Sequence, residues 1–174
     1  MKGPILELLS YFMGEESMII VIQSFFSVLV ILFLVFPFRA FARGWVAKQL
    51  GDDTAEQYGM LTMNPLVHID WMGALCMGLC CIGWSKQVPI SFNRCRKVSQ
   101  NTAVTLISLT GPLSLFVLGF ILMIIAKVIL VLVASETAVY IALALVMASQ
   151  ICAYLAVLNL ITVPPFDGYY IFAV

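Results

Sequence analysis

The stretch MIIVIQSFFSVLVILFLVFPFRAFARGWVAKQLGDD, residues 18–53, decides the architecture. From Met18 to Phe38 only Gln23, Ser24 and Ser27 are polar, and Pro37 comes near the end. At ~1.5 Å per residue such a helix is long enough to cross ~30 Å of hydrocarbon. Helical character is expected to continue to Leu50, with Gly51 as the stop and Asp52 and Asp53 opening a turn. The run does not read as a secretory signal: it is too long, Glu15 and Glu16 precede it, and no small-residue cleavage site follows.

The rest of the composition agrees with a bilayer. Of 174 residues, 63% are hydrophobic and 10% charged, whereas soluble domains carry about a quarter charged residues, and the mean hydropathy is +1.07. Lys plus Arg and Asp plus Glu number 9 each, so no net field points to nucleic acid or to an acidic partner. The five cysteines, Cys76, Cys80, Cys81, Cys95 and Cys152, are odd in number and lie mostly in or beside apolar segments, which argues against a disulfide framework. Cys76 and Cys80 are four apart and could share a helix face toward a metal, but cysteine is also a common small apolar filler.

Downstream, residues 51–68 are polar and turn-rich. Ile69 to Trp84 is apolar but carries Gly73, Gly78 and Gly83, and as a helix it would cover only ~24 Å, so it reads as a re-entrant segment. Residues 85–101 form the most basic loop, with Lys86, Arg94, Arg96 and Lys97. Two apolar runs of spanning length follow, Thr102 to Ala134, interrupted by Gly111-Pro112, and Thr137 to Val163. The expected fold is an all-α membrane protein with about three spanning helices, the re-entrant segment at 69–84 and a C-terminal helix that opens near Val174, as in a truncated protein. One membrane-embedded domain is expected over 1–174: an N-terminal tail (1–17), the long first helix (18–50), the loop and re-entrant segment (51–101), two spanning helices (102–163) and an Asp-Gly segment (164–174).

Several motifs, in order, resemble the site-2 protease family of intramembrane zinc metalloproteases. Asn64-Pro65-Leu66-Val67-His68-Ile69-Asp70 with Gly73, then Gly83-Trp84-Ser85-Lys86-Gln87-Val88-Pro89-Ile90, then Gly111-Pro112-Leu113-Ser114, and finally Asn159 through Asp167-Gly168 are similar to that family's signatures. The first helix ends as the family's does, in a Gly, a Trp and a Leu-Gly-Asp turn, but the His-Glu-x-x-His stretch that belongs before them reads Arg39, Ala40, Phe41, Ala42, Arg43. Leu115 stands where the family has Asn, and Thr162 where it often has Pro.

The resemblance implies a chemistry and its loss. Two histidines at i and i+4 offer neutral imidazoles to zinc, the adjacent glutamate takes a proton from the bound water, and a carboxylate from another helix completes the ligand set. By resemblance that carboxylate is Asp167, and Asn159 stabilises the oxyanion of the peptide under attack. Arg39 and Arg43 occupy the histidine positions and have no lone pair to give. Ala40 occupies the general-base position and accepts no proton. Zinc belongs to the active family, and none is expected in this chain. Asp167 is instead expected to accept charge-assisted hydrogen bonds from Arg39 or Arg43, with Asn159 completing the network. His68, the only histidine, and Asn64 read as structural members of the loop motif.

Topology and charge give an orientation. Asp167 can meet residues 39 and 43 only if 69–84 does not cross the membrane. Lys48, Lys86, Arg94, Arg96 and Lys97 then collect on that side, against Lys2 with Glu7, Glu15, Glu16 and Glu136 on the other, which places the site toward the cytoplasmic face of a multi-pass protein. The function implied is cleavage of transmembrane helices of other membrane proteins, inactivated in this chain. A natural pseudoprotease that binds membrane proteins without cutting them is the alternative, and whether the motif was changed deliberately or lost naturally stays open. A transporter or channel is the third reading, because intramembrane Arg and Asp often mark ion paths, but no inverted repeat supports it.

Overall fold

The computed structural model describes residues 3–14, 17–133, 135–161 and 167–172. Helix α1 (Pro4–Phe12) precedes the long α2 (Met18–Leu50), and α3 (Trp71–Cys80), α4 (Gln100–Leu132), α5 (Glu136–Asn159) and the short α6 (Asp167–Phe172) follow. Among the described residues there is no strand, only an isolated antiparallel bridge between Ile69 and Ser85. Three helices, α2, α4 and α5, are long and apolar enough to cross a membrane. Their outward faces are apolar too, with Phe25, Phe33, Phe120 and Ile141 exposed, the pattern of helices solvated by lipid rather than water. The chain is an all-α membrane protein.

The inner faces close on one core. Val28, Ile31 and Val35 of α2, Met77 of α3, Leu115, Leu118 and Leu122 of α4, and Ile151, Cys152 and Leu155 of α5 pack together there. Helix α2 is not regular: Ile31–Val35 forms a wide π turn just before Pro37. Proline has no N–H to donate and its ring crowds the carbonyl four residues back, so a widened turn is the local solution. The turn also holds one face inward. Ser27, Ile31, Val35, Arg39, Arg43 and Ala47 recur at every fourth residue and all are buried or partly so. In a regular helix each step of four overshoots by ~40°, and the extra residue of a π turn takes back ~100° of that drift.

The segment after α2 is a hairpin fastened at its base. Asp70 caps α3 by accepting from Gly73 N at 2.9 Å. Helix α3 runs outward to Cys80, and the chain returns without regular structure to Ser85, which pairs with Ile69, while Lys86 N donates to His68 O at 2.8 Å. Both ends therefore meet at one level, the geometry a re-entrant segment requires. The return limb lies directly on α3: a Cβ at Gly73 would come within 2.1 Å of Trp84 O, so only glycine fits there. The tip is gripped by α1, where Gly3 N donates to Leu79 O at 2.8 Å. Helix α1 itself inserts a buried Glu7 toward Ser24, whose hydroxyl donates to its carboxylate.

At the opposite end of α2 the Leu-Gly-Asp turn is a clasp. Asp52 is fully buried; its carboxylate accepts from Ser91 N at 2.6 Å and from Thr54 N at 3.1 Å. Lys97 N donates to Leu50 O at 3.3 Å, and Arg94 lies 3.1 Å from Asp53. The Gln57 side-chain amide, foremost, and Arg94 hold the Asp53 carboxyl below its usual range. Cys95 packs beside Ala47, Ala103 and Ile107, and burial, aided by the charge of Asp52, pushes its thiol upward.

Candidate functional site

Arg39 and Arg43, one helical turn apart on α2, project toward the first residue of α6. Arg39 Nη2 donates to Asp167 Oδ2 at 2.6 Å, and Arg43 Nη1 lies 2.9 Å from Asp167 Oδ1. The carboxylate is thus shared, one oxygen to each guanidinium. Only 2% of the Asp167 side chain is exposed, against 12% and 8% for Arg39 and Arg43, so these are charge-assisted bonds in a dry setting, where they are strongest. Asn159, at the end of α5, adds a fourth group: its Oδ1 accepts from Arg39 Nη2 at 2.8 Å and its Nδ2 donates to Leu155 O at 2.6 Å. One amide hydrogen of Asn159 remains beyond that bond.

Helix α4 passes so close that it must present glycine. A Cβ on Gly111 would lie 2.2 Å from Asp167 Oδ2 and 3.3 Å from Arg43 Cδ. Gly111-Pro112 therefore leaves α4 unbroken, since that helix runs through Pro112, and supplies the bare backbone wall of the ionic cluster.

A cavity of about 360 Å³ opens beside the cluster, bounded by Phe36, Leu115, Leu155 and Leu158 from the helices and by Ile82 and Trp84 from the return limb of the hairpin. Arg39, Arg43, Asn159 and Asp167 form its polar end, and Asp70, Ser85 and Lys86 line it as well. Arg39 Nη1 reaches Ser85 Oγ only at 3.5 Å, the outer limit for a hydrogen bond.

Of the residues singled out in the sequence, Arg39, Arg43, Asn159 and Asp167 come together. Ala40 does not join them: it is buried against Ala55 and Val88, about 100° around the helix from Arg39. His68 is fully buried beside the hairpin base, its Nε2 2.8 Å from Thr62 O. Asn64 caps the turn Pro65–His68 by accepting from Leu66 N at 3.1 Å. Residues 162–166, with the prolines of the last motif and Thr162, lie outside the described residues. Three contributors were not singled out as site residues: Gly111, Ser85 and Trp84, each belonging to a motif whose site role depends on distant packing.

The donor set does not suit a metal ion. Two guanidinium groups have no lone pair to offer, and the one carboxylate is engaged by both. Among the described residues no group of three or more His, Cys, Asp or Glu could hold a metal.

Fold and site together define a class: a multi-helix membrane protein with an arginine–aspartate–asparagine cluster buried between its helices. The chain is 33% identical over 149 residues to "Putative zinc metalloprotease YwhC" of Bacillus subtilis (strain 168), a match covering 79% of this chain and 64% of that protein. The chain thus spans less than two thirds of the length of the relative it matches. No family model matches, and no solved structure matches.

Proposed function

We propose that the chain carries the scaffold of a site-2-protease-like intramembrane zinc metalloprotease in catalytically inactive form, and that it binds transmembrane segments of other membrane proteins without cutting them. The observation that carries this reading is the convergence of residues 39, 43 and 167, the three positions that the resemblance assigns to the metal, on one point. Similarity to a protein named as a zinc metalloprotease supports it further. Charge replaces charge: two guanidinium groups carry the +2 that a divalent ion would bring between neutral imidazoles, so Asp167 keeps its partner without metal. The general-base position holds Ala40, and Asn159, the oxyanion residue of the resemblance, is used here to hold Arg39. Lys48, Lys86, Arg94, Arg96 and Lys97 on the site side favour a cytoplasmic placement.

Two measurements test this. Elemental analysis of the purified protein is expected to find no stoichiometric zinc. The joint substitution Arg39→His, Ala40→Glu and Arg43→His is expected to bring one zinc per chain and cleavage of a transmembrane substrate. Zinc in the unaltered protein, or a restored variant that takes up no zinc, overturns the scaffold reading. A restored variant that binds zinc and cuts nothing leaves the natural pseudoprotease reading, which the ion pair supports because Asp167 has protein partners of its own.

A further inference from the structure

We infer that the outward face of α5 is a docking surface for a second copy of this chain, closed by Gln150 pairing with the partner subunit's Gln150. The inference is independent of the cavity and of any protease reading.

Helix α5 buries one face and presents the opposite one outward. Leu145, Ala148, Cys152 and Leu155 pack inward against the other helices. On the other side Leu143, Gln150 and Val157 recur every seven residues and are all exposed, as is Tyr154, four residues after Gln150. Met147, four residues after Leu143, is half-buried. At 100° per residue these five positions fall within an arc of about 80°. A seven-residue recurrence of this kind is the spacing by which paired helices mesh, in a membrane as in water.

An apolar stripe alone would need only lipid, but Gln150 needs more. It lies 14 residues after Glu136 and 9 before Asn159, about 21 Å and 14 Å along the helix, too far for its side chain to reach water beyond either end. Asn159, at the end of the same helix, returns its amide to the carbonyl four residues back. Among the described residues neither the Gln150 amide nor the Tyr154 hydroxyl has a hydrogen-bond partner. Hydrocarbon offers an amide no hydrogen bond, and leaving those bonds unmade costs free energy. A helix that brings a polar group to the same depth removes that cost.

Self-association supplies such a group. Copies inserted in the same direction are related by a two-fold axis along the membrane normal, which sets the residues of this stripe opposite themselves at equal depth. A primary amide both donates and accepts, so two Gln150 side chains satisfy one another, with the Tyr154 hydroxyls one turn away. No residue from Val139 to Val157 is charged, so the copies bring no like charges together along this span. A different protein would have to place a polar group at this depth by coincidence, whereas a second copy places it there by symmetry.

The test uses the full chain with a C-terminal fluorescent label, reconstituted in liposomes over a range of protein-to-lipid ratios. Single-molecule photobleaching counts the copies in each particle. The unaltered protein is expected to pass from one-step to two-step bleaching as its density rises, and to grow no further. Gln150→Leu is expected to raise the density needed by about three- to twentyfold, the range expected of hydrogen bonds between membrane helices, and Gln150→Asn to retain part of the pairing. A photoreactive amino acid in place of Val157 is expected to yield covalent dimers whose cross-link, located by mass spectrometry, falls within α5 of the partner subunit. Single-step bleaching at every density, cross-links that fall outside α5, or a Gln150→Leu variant that pairs as tightly as the parent overturns the inference. The first of these outcomes covers a face left to lipid and a face reserved for a different membrane protein, and it depends on no variant folding.

Discussion

Asp167→Ala removes the one carboxylate that two arginines share, and its cost can be worked from the geometry. The bonds are 2.6 and 2.9 Å long and all three side chains are almost wholly buried, so solvent cannot take over when the acid is gone. Breaking a buried pair by deleting one partner costs about 3–5 kcal/mol, because it strands a charge; here two charges are stranded and the upper end applies. For a chain of this size each kcal/mol moves the midpoint by about 2–4 °C, so the upper end corresponds to a fall of about 10–20 °C. The companion is a triple variant, Arg39→Gln, Arg43→Gln and Asp167→Asn, which removes charge from both sides. It is expected to lie within about 1–2 kcal/mol of the parent, since replacing an entire buried ionic group by neutral residues is often tolerated. Both are measured by reversible unfolding in mixed detergent micelles, with the midpoint followed by near-UV circular dichroism. If Asp167→Ala falls within about 0.5 kcal/mol of the parent, the level of an ordinary surface change, the ionic cluster is not what holds α6 in place.

Three further outcomes are expected. Gly111→Ala places a methyl 2.2 Å from Asp167 Oδ2 and is expected to cost about 1–3 kcal/mol by overpacking; a midpoint equal to the parent's would refute the close approach of α4. Asp52→Ala strips Ser91 N and Thr54 N of their acceptor and is expected to cost about 1–3 kcal/mol and to speed proteolysis within 85–98, read by mass spectrometry; unchanged cleavage there would count against the clasp. Ala40→Glu alone buries a carboxylate against Ala55 and Val88 and is expected to lower the free energy of unfolding by about 2 kcal/mol or more, whereas a stable single variant would mean that a glutamate at 40 turns toward the site without its histidines.

The spanning helices were legible because lipid leaves a simple mark: long apolar runs with few interruptions. The hairpin at 69–84 was legible from its glycines, and the geometry supplies their reason in the contact between Gly73 and the Trp84 carbonyl. The ion pair could be anticipated because Arg39, Arg43 and Asp167 stood at positions that the resemblance brings together. What sequence spacing did not reveal is long-range. Asp52 read as a turn residue, yet its carboxylate also accepts from the amide of Ser91, 39 residues later. Glu7 read as part of a charged tail, whereas α1 lies against α3 and buries it beside Ser24. Gly111 read as a break in an apolar run, whereas its bareness serves a carboxylate that arrives from more than fifty residues downstream.

The wide turn at Ile31–Val35 gives α2 something like a reading frame. Upstream of it the inward face is set by Val21, Ser24 and Ser27 against the neighbouring helices; downstream it is set by Arg39 and Arg43 against Asp167. Losing one residue from the turn would restore a regular helix and leave Arg39 and Arg43 facing Asp167, because the residue removed is the one that the wide turn absorbs. Losing one from the regular part of α2 with the turn kept would instead rotate everything after it by ~100°, carrying both arginines off Asp167 while changing no site residue. The wide turn is therefore the place where this otherwise featureless apolar run can shed a residue without disturbing the site.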